Sequence, residues 1–348
     1  LQDLILLNTL NIKTIVIRHQ LTVQEMNHLN PRVAHYPKIY RLADQLIVLS
    51  TMEQTFYQTM GCHVKYLPNP IENHGNPIKD ITQNQQILWI GRLERQSKNY
   101  HDALEIMKQV CAHCPKAQMI LLGSEDRPGA VKEIKNYIQK NQLQNNIHWQ
   151  DHTLNVDKYY RQTRIHLITS SYESFSMAIV ESKTYGIPLV TYDMPYLEIL
   201  KNGKGAIIVQ QRNIRQAAQA IVQLLKNDTY CQKLAKEANE SIQPFFAYNQ
   251  TQAWHHLFQA LAQNKTTQNT PTTEQTDLKC FLNTLFAQYE IGCLAQQKQP
   301  NKINQQIKTI KYRILSTLTT GKRQAHYHNK YLENQRIANN LTNRRRHV

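Results

Sequence analysis

The chain has 348 residues, a length that allows two domains, and it carries a formal net charge of +16. Eleven Lys or Arg and a single acid, Glu333, lie in residues 301–348, so +10 of the net charge belongs to this C-terminal segment. The sequence contains no apolar run of about 18 residues, which predicts no membrane-spanning helix.

Six cysteines are scattered along the chain without forming a framework, which is typical of a protein in a reducing cytosol. Cys111 and Cys114 form a lone C-x-x-C near the end of a predicted helix. A redox or metal role for this pair stays open beside that of ordinary helix-end residues. The chain begins at Leu1 with neither Met nor a signal-peptide pattern, which we interpret as the start of a fragment.

Residues 1–70 contain two strand-like runs, at 13–18 and 45–49, and a shorter one at 64–67. The third run leads into Pro68-Asn69-Pro70, a sequence that interrupts regular structure. We therefore expect this first segment to end at a boundary between two units.

From residue 86 onwards, short apolar stretches alternate with helical ones. The predicted strands are 86–90, 117–122, 146–149, 165–169, 188–191 and 206–209. The predicted helices are 98–111, 129–141, 155–162, 176–185, 195–201 and 212–226. This alternation is typical of βαβ units around a parallel sheet, so we predict an α/β, Rossmann-like domain.

The rest of the chain is helical at first and then polar. We predict a further helix from Phe245 to Leu261, which extends the second domain to residues 71–262. Residues 263–276 are rich in Thr, Gln and Asn and are typical of a linker. Residues 277–348 are predicted to form a helical, basic tail.

A cationic motif follows the strand at 86–90. The strand ends at Gly91, where a missing side chain lets a ligand approach closely, and Arg92 and Lys98 come next. Both cations can converge on one anion and stabilise the charge that develops on a diphosphate leaving group. Such a pair can replace a metal ion, and no Asp-x-Asp sequence is present to hold one, so we expect no metal cofactor.

Two carboxylates eight residues apart, Glu173 and Glu181, follow the strand at 165–169. Glu173 falls in a loop, and we place Glu181 about two turns into the next helix. Ser174 and Ser176 suit the start of that helix, where free backbone N–H groups can receive an anion. The two carboxylates can therefore face different parts of one ligand.

These motifs resemble those of the glycosyl transferases group 1 family, the retaining family-four glycosyltransferases with a GT-B fold. Ser170–Phe175 and Glu181–Pro188 are similar to the family's Glu-x7-Glu signature, and Gly91–Asn99 to its Gly-Arg-Leu…Lys-Asn segment. The resemblance covers roughly residues 10–262. It implies a GT-B-like fold in which the C-terminal Rossmann-like domain is complete and residues 1–70 are the remnant of an acceptor-side N-terminal domain.

The resemblance also implies roles for the cationic motif and for a histidine. Gly91, Arg92 and Lys98 would bind the donor diphosphate. His19, which follows the predicted strand 13–18, corresponds to a histidine at the junction of donor and acceptor. We name His19 as a candidate catalytic residue, and a surface histidine without a role stays an equal alternative.

The second motif would hold the rest of the donor. By the same resemblance, Glu173 would bind the hydroxyls of the donor sugar as a catalytic residue, and Glu181 would bind the nucleotide ribose. The backbone of Ser174, Phe175 and Ser176 would line the sugar and the phosphates. Carboxylates suit hydroxyl recognition because each accepts two or more hydrogen bonds.

The basic tail contains an apolar face at helical spacing, with Lys and Arg between its members. The positions are Ile303, Ile307, Ile310, Ile314 and Leu318. A basic amphipathic helix within residues 300–348 can lie on an anionic membrane surface or attract an acidic polymer such as teichoic acid, and a helix packed on the enzyme is the alternative. The sequence contains no nucleic-acid-binding signature.

Together with the resemblance, the sequence predicts a hexosyltransferase that uses a nucleotide-diphosphate sugar, such as UDP-glucose, with retention. The predicted acceptor is a cell-surface glycan, a lipid-linked glycan or a teichoic-acid-like polymer, reached in the cytoplasm or at the inner face of the plasma membrane. Two alternatives stay open, namely a non-catalytic GT-B-like partner of another transferase and an adaptor whose basic tail binds polyanions.

Overall fold

The computed structural model divides into two compact units, one made of Leu1–Pro68 with Thr251–Val348 and the other of Asn69–Gln250. Nearly all of the predicted linker and tail lie outside the described residues, so the membrane or polyanion role of residues 300–348 stays a prediction. The described residues are 2–27, 30–73, 77–78, 80–83, 85–263, 285–290, 293 and 309–310.

Strands and helices alternate along most of the described chain. The strands are β1 (Ile15–Arg18), β2 (Gln45–Val48), β3 (Val64–Tyr66), β4 (Gln86–Ile90), β5 (Gln118–Leu122), β6 (Ile147–Gln150), β7 (Ile165–Ile168), β8 (Leu189–Tyr192) and β9 (Ala206–Val209). The helices are α1 (Gln2–Thr9), α2 (Thr22–Asn27), α3 (Tyr36–Tyr40), α4 (Thr51–Thr59), α5 (Tyr100–His113), α6 (Ala130–Lys140), α7 (Asp157–Arg161), α8 (Met177–Thr184), α9 (Ile214–Lys226), α10 (Asp228–Phe246) and α11 (Gln250–Ala262). No helix in these ranges combines the length and apolar character that crossing a bilayer requires.

Each unit contains a parallel sheet. In the first unit the strand order is β1-β2-β3, and in the second it is β6-β5-β4-β7-β8-β9. Numbered within its own unit, the second sheet has the doubly wound order, in which the strand order reverses between β4 and β7. Strands β7 and β8 are buried along their whole length, as expected for parallel strands covered by helices on both faces. The predicted α/β, GT-B-like class is confirmed.

The end of the second unit differs from the prediction in two respects. The expected helix from Phe245 to Leu261 is two helices, because α10 continues to Phe246 and α11 begins at Gln250. Pro244 lies in the last turn of α10, and its missing backbone N–H weakens that turn. The predicted end of the second domain at residue 262 also differs from the structure, because α11 belongs to the first unit from Thr251 onwards.

Apolar packing explains where α11 belongs. Leu257 and Leu261 on α11 are buried against Ile47 of β2 and Leu67, just after β3. This cluster covers one face of the three-stranded sheet with a helix that is distant in sequence.

A short 3₁₀ helix, Glu198–Gly203, takes the place of the helix predicted at 195–201. Its start has no side-chain cap at Leu197, and it ends at Gly203, which has a φ of +64°. Both features restrict regular helix to a single short stretch.

Two glycines pack together where β4 and β5 end. The backbone N–H of Gly91 donates to the carbonyl of Leu122 at 3.1 Å, which places Gly123 beside it. A Cβ added to Gly123 would lie 1.8 Å from the carbonyl oxygen of Gly91. Only glycine fits at position 123 while β4 keeps its path to the loop that follows.

We expect Gly123→Ala to lower the free energy of unfolding by about 3–4 kcal/mol, because the new methyl group must displace backbone. The matched control is Gly203→Ala, since Gly203 has a φ of +64° and a Cβ added there would meet nothing within 4 Å. The control should cost about 1 kcal/mol, which is the effect of a left-handed backbone alone. Urea denaturation measures both values, and equal losses would contradict the proposed contact.

Candidate functional site

Two loops meet where the strand order reverses in the six-stranded sheet. One follows β4 and contains the cationic motif, and the other follows β7 and contains Glu173. Lys98 Nζ lies 2.5 Å from Glu173 Oε1, and the two side chains are 23% and 12% exposed. The structure therefore brings the two sequence motifs into direct contact. Ligands of doubly wound sheets bind in the crevice at this point of the topology.

Backbone and side-chain hydrogen bonds hold these two loops together. Asn99 has a φ of +51°, and its Nδ2 donates to the Thr169 carbonyl at 2.9 Å and to Ser171 Oγ at 2.7 Å. The Ser171 N–H donates to the Ser97 carbonyl at 2.7 Å, and Thr169 Oγ1 donates to the Lys98 carbonyl at 2.7 Å. Sequence reasoning assigned no role to Asn99, although it directly follows Lys98 in the motif.

The Glu173 carboxylate is fixed by two donors. Its Oε1 accepts from Lys98 and from Ser170 Oγ at 2.7 Å. The backbone N–H of Glu173 donates to the Tyr196 hydroxyl at 3.2 Å, which anchors the loop from the β8 side. A carboxylate held in this way keeps its orientation without rearranging when a ligand binds.

Gly91 lies beside Trp89 and the stem of Lys98. A Cβ at Gly91 would come within 3.2 Å of Trp89 Cη2 and 3.5 Å of the Lys98 stem. Glycine at position 91 thus avoids a close contact with Trp89, in addition to the ligand access expected from the sequence.

Arg92 has partners that differ from those of Lys98. Its side chain is 66% exposed, with Nη1 3.4 Å from Asp126 Oδ1 and Nη2 3.8 Å from Glu94 Oε2. We expected both cations to converge on one anion, and in this structure each has its own acidic partner. Exposed ion pairs of this kind are weak, so Arg92 can exchange its partners for a stronger anion.

The start of α8 differs in detail from the expected serine cap. Ser176 occupies the N-cap position with a φ of +65°, and its side chain makes no capping hydrogen bond. Within the described part of the chain, the N–H groups of Ser174, Phe175 and Ser176 donate no hydrogen bond. Phe175 is buried and fixes this turn in the core. A helix start with unused N–H groups suits an anion.

Glu181 lies on α8 as the fifth residue, a little more than one turn from its start instead of two. Its Oε2 accepts a 2.7 Å hydrogen bond from the hydroxyl of Tyr160, a buried residue on α7. Glu181 and Glu173 therefore have separate partners. Sequence reasoning missed Tyr160, because no local spacing links it to Glu181.

His19 lies in the first unit, directly after β1, and its side chain is exposed. The loop that contains His19 has Arg18 on one side and Thr22 on the other, and both residues contact the buried Glu53. Glu53 lies 3.6 Å from Arg18 Nε and accepts from Thr22 N at 2.9 Å and Thr22 Oγ1 at 2.8 Å. The loop that carries His19 is therefore pinned at both ends.

The described residues contain no cluster of three or more His, Cys, Asp or Glu that could hold a metal ion. Burial, with a smaller contribution from Cys114, raises the pKa of the Cys111 thiol to about 11. A thiol with this pKa stays protonated at neutral pH, which favours the interpretation of the C-x-x-C as ordinary helix-end residues.

Strand β7 is tied to α8 by a buried histidine. His166 Nδ1 is hydrogen-bonded to Ser182 Oγ, and the imidazole is fully buried. Desolvation lowers the pKa of His166 to about 3, so the ring is neutral in the folded chain near pH 7. This contact helps to hold the β7 loop and α8 in register.

Comparison with known proteins identifies the family of the second unit. Residues 72–241 match the model of the family Glycosyl transferases group 1. Poly(glycerol-phosphate) alpha-glucosyltransferase of Bacillus subtilis (strain 168) is 26% identical over 211 residues, which span 60% of this chain and 30% of the relative. Amylovoran biosynthesis glycosyltransferase AmsD of Erwinia amylovora is 27% identical over 211 residues, which span 57% of each chain. The chain thus matches only part of each relative.

Solved structures show the same fold. S. aureus TarM superposes with a TM-score of 0.61 at 17% identity, covering 72% of this chain and 50% of TarM. HepE of Anabaena, solved in complex with UDP-glucose, superposes with a TM-score of 0.61 at 19% identity, covering 75% of each chain. These likenesses support the GT-B fold.

The buried His166 predicts an acid-sensitive stability. The unfolded chain binds a proton at this site near the ordinary His pKa of about 6.5, whereas the folded chain resists protonation down to about pH 3. The contribution of the neutral ring to the free energy of unfolding is therefore present above pH 6.5 and is lost as pH falls. The loss reaches about 2 kcal/mol at pH 5.

We expect the His166→Asn variant to lack this loss. The difference in free energy of unfolding between the wild-type chain and the variant should shrink by about 2 kcal/mol between pH 7 and pH 5. Urea denaturation of both proteins at the two pH values measures it. A difference that is independent of pH would show that the fold does not lower the pKa of His166.

Proposed function

Because residues 72–241 form a domain of the Glycosyl transferases group 1 family, we propose that this chain carries the donor site of a retaining glycosyltransferase. The donor would be a nucleotide-diphosphate sugar, with UDP-glucose as the first choice. The observation that supports this most directly is the Lys98–Glu173 contact at the point where the strand order of the sheet reverses. Lys98 can bind a phosphate, and Glu173 can bind sugar hydroxyls.

The diphosphate would lie between the cationic loop and the start of α8. Lys98 and Arg92 supply positive charge, Gly91 permits close approach, and the N–H groups of Ser174–Ser176 supply further donors. Negative charge grows on the β-phosphate as the bond to the sugar breaks. Fixed cations and dipoles stabilise that charge more than the ground state, which lowers the barrier. The proposal needs no metal ion for this step.

Glu173 would bind hydroxyls of the donor sugar, and Glu181 those of the ribose. Glu173 is already oriented by Ser170 and Lys98, and Glu181 by Tyr160. A carboxylate oxygen accepts more than one hydrogen bond, so each can keep its protein partner and add a ligand hydroxyl.

In the proposed reaction the acceptor hydroxyl attacks the anomeric carbon from the face on which the diphosphate leaves. The bond from the anomeric carbon to the phosphate oxygen breaks, the new glycosidic bond forms, and a β-phosphate oxygen takes the acceptor proton. Retention of configuration follows from attack and departure on one face. We include His19, in the first unit, as a further candidate catalytic residue, because an imidazole can hydrogen-bond a hydroxyl or a phosphate.

The proposed acceptor is a cell-surface glycan or wall polymer, reached from the cytoplasm. Two of the relatives support this choice by name, one acting on poly(glycerol-phosphate) and one in amylovoran biosynthesis. The matched residues span 30% and 57% of these two relatives. Catalytic turnover by this chain is therefore itself a proposal.

Calorimetric titration with UDP, GDP and ADP tests the donor site. We expect one of these nucleotides to bind with micromolar affinity and the Lys98→Ala variant to bind it about tenfold to a hundredfold more weakly, since a charge-assisted contact to phosphate is lost. Binding of UDP would identify the base.

The matched control is Lys140→Ala, which removes an exposed lysine from the end of α6, whereas the cationic loop lies at the carboxyl end of β4. The control should retain the wild-type affinity within about twofold. Failure of all three nucleotides to bind the wild-type chain would overturn the donor-site proposal.

A further inference from the structure

Two buried tyrosines stack between α7 and α8, behind the proposed ribose-binding carboxylate. The rings of Tyr160, on α7, and Tyr185, directly after α8, are nearly parallel, with centroids 5.0 Å apart and an interplanar angle of 13°. Neither side chain is more than 2% exposed. Such a stack fixes both rings and leaves only their hydroxyl groups to find polar partners.

Each hydroxyl donates to a carboxylate on the opposite element. Tyr160 Oη lies 2.7 Å from Glu181 Oε2 on α8, and Tyr185 Oη lies 2.7 Å from Asp157 Oδ1 on α7. The arrangement is reciprocal, since each side supplies one tyrosine and one acid. We refer to Asp157, Tyr160, Glu181 and Tyr185 as the tyrosine clasp.

The hydrogen bond to Glu181 has a defined direction. Burial, together with the neighbouring charge of Glu181, raises the pKa of the Tyr160 hydroxyl well above its ordinary value. The hydroxyl therefore keeps its proton and acts as donor, and Glu181 acts as acceptor. The Asp157 side of the clasp has an additional cation, because Arg161 Nε lies 2.8 Å from Asp157 Oδ2.

The clasp also links Glu181 to the loop after β6. Helix α7 begins at Asp157, six residues after that loop starts at Asp151, and the clasp joins α7 to α8. A glutamate on a helix has several accessible rotamers, and fixing one oxygen to a rigid tyrosine selects among them before any ligand arrives. Ligand binding then loses less side-chain entropy at Glu181.

We propose that Tyr160 is a positioning residue that orients Glu181 toward the ribose hydroxyls, so that the Tyr160–Glu181 hydrogen bond of the clasp sets the preference of this site for ribonucleoside diphosphates. The inference rests on the proposed function, in which Glu181 binds the ribose. Tyr160 itself acts through Glu181 and contacts no ligand. The specific consequence is selectivity for the sugar of the nucleotide, separate from affinity for its phosphates.

The test compares UDP with 2′,3′-dideoxy-UDP, which retains the base and the diphosphate but lacks both ribose hydroxyls. In the wild-type chain, calorimetry should give a Kd for the dideoxy compound at least about tenfold above that for UDP. In Tyr160→Phe this ratio should fall by about fivefold, while the Kd of the dideoxy compound stays within about twofold of the wild-type value. Glu181→Ala should reduce the ratio to near one.

The matched control is Tyr185→Phe, which removes the same atom from the stacked neighbour and affects Asp157 instead of Glu181. It should preserve the ratio within about twofold. A Tyr160→Phe variant that keeps the full ratio while Glu181→Ala loses it would overturn the inference and leave the proposed function intact. A wild-type ratio near one would overturn the inference and the ribose role of Glu181 together.

If Tyr160→Phe does not fold, 3-fluorotyrosine at position 160 provides a second measurement. Its ¹⁹F resonance should shift when UDP binds and shift less when 2′,3′-dideoxy-UDP binds. Equal shifts with the two ligands would overturn the inference.

Discussion

The ion pair between Lys98 and Glu173 is the contact on which the site depends. It joins the loop after β4 to the loop after β7, at 2.5 Å and in a partly buried position. Asn99 reinforces the junction by donating to the β7 loop through Nδ2. In a site where water is partly excluded, opposite charges interact strongly, so the pair fixes both side chains before a ligand binds. The proposed nucleotide-diphosphate sugar contains both a diphosphate and sugar hydroxyls, so it can bind Lys98 and Glu173 at once.

The fold explains why this junction exists at one place only in the second sheet. Strands β4 and β7 are neighbours in space although β5 and β6 lie between them in the chain. Their carboxyl ends open on the same edge, at the point where the strand order reverses and leaves a crevice. Gly123 allows β5 to pass close to Gly91, which keeps the β4 loop in place. Behind the crevice, His166 and the tyrosine clasp hold α7, α8 and β7 in one arrangement.

The strand and helix pattern of the second unit could be predicted because each strand is a short apolar run between helices, and the observed strand bounds differ from the predicted ones by no more than one residue. The motif residues Lys98 and Glu173 could also be selected, but their pairing could not, since 75 residues separate them. Tyr160 escaped prediction for the same reason, because its partner is fixed by the packing of two helices. The break before α11 was missed because Phe245 and Phe246 continue an apolar pattern, whereas they form the end of α10.

The measurement that tests the central claim most directly is the effect of Glu173→Gln on the affinities for UDP and UDP-glucose. The account predicts that UDP binds as in the wild-type chain or more tightly, because Lys98 loses its acidic partner and becomes available to the phosphates. The ratio of the Kd of UDP-glucose to that of UDP should rise by about tenfold, since the sugar loses a charged acceptor. If the variant instead loses affinity for both ligands equally, Glu173 supports the shape of the loop and the division of the donor between Lys98 and Glu173 is contradicted.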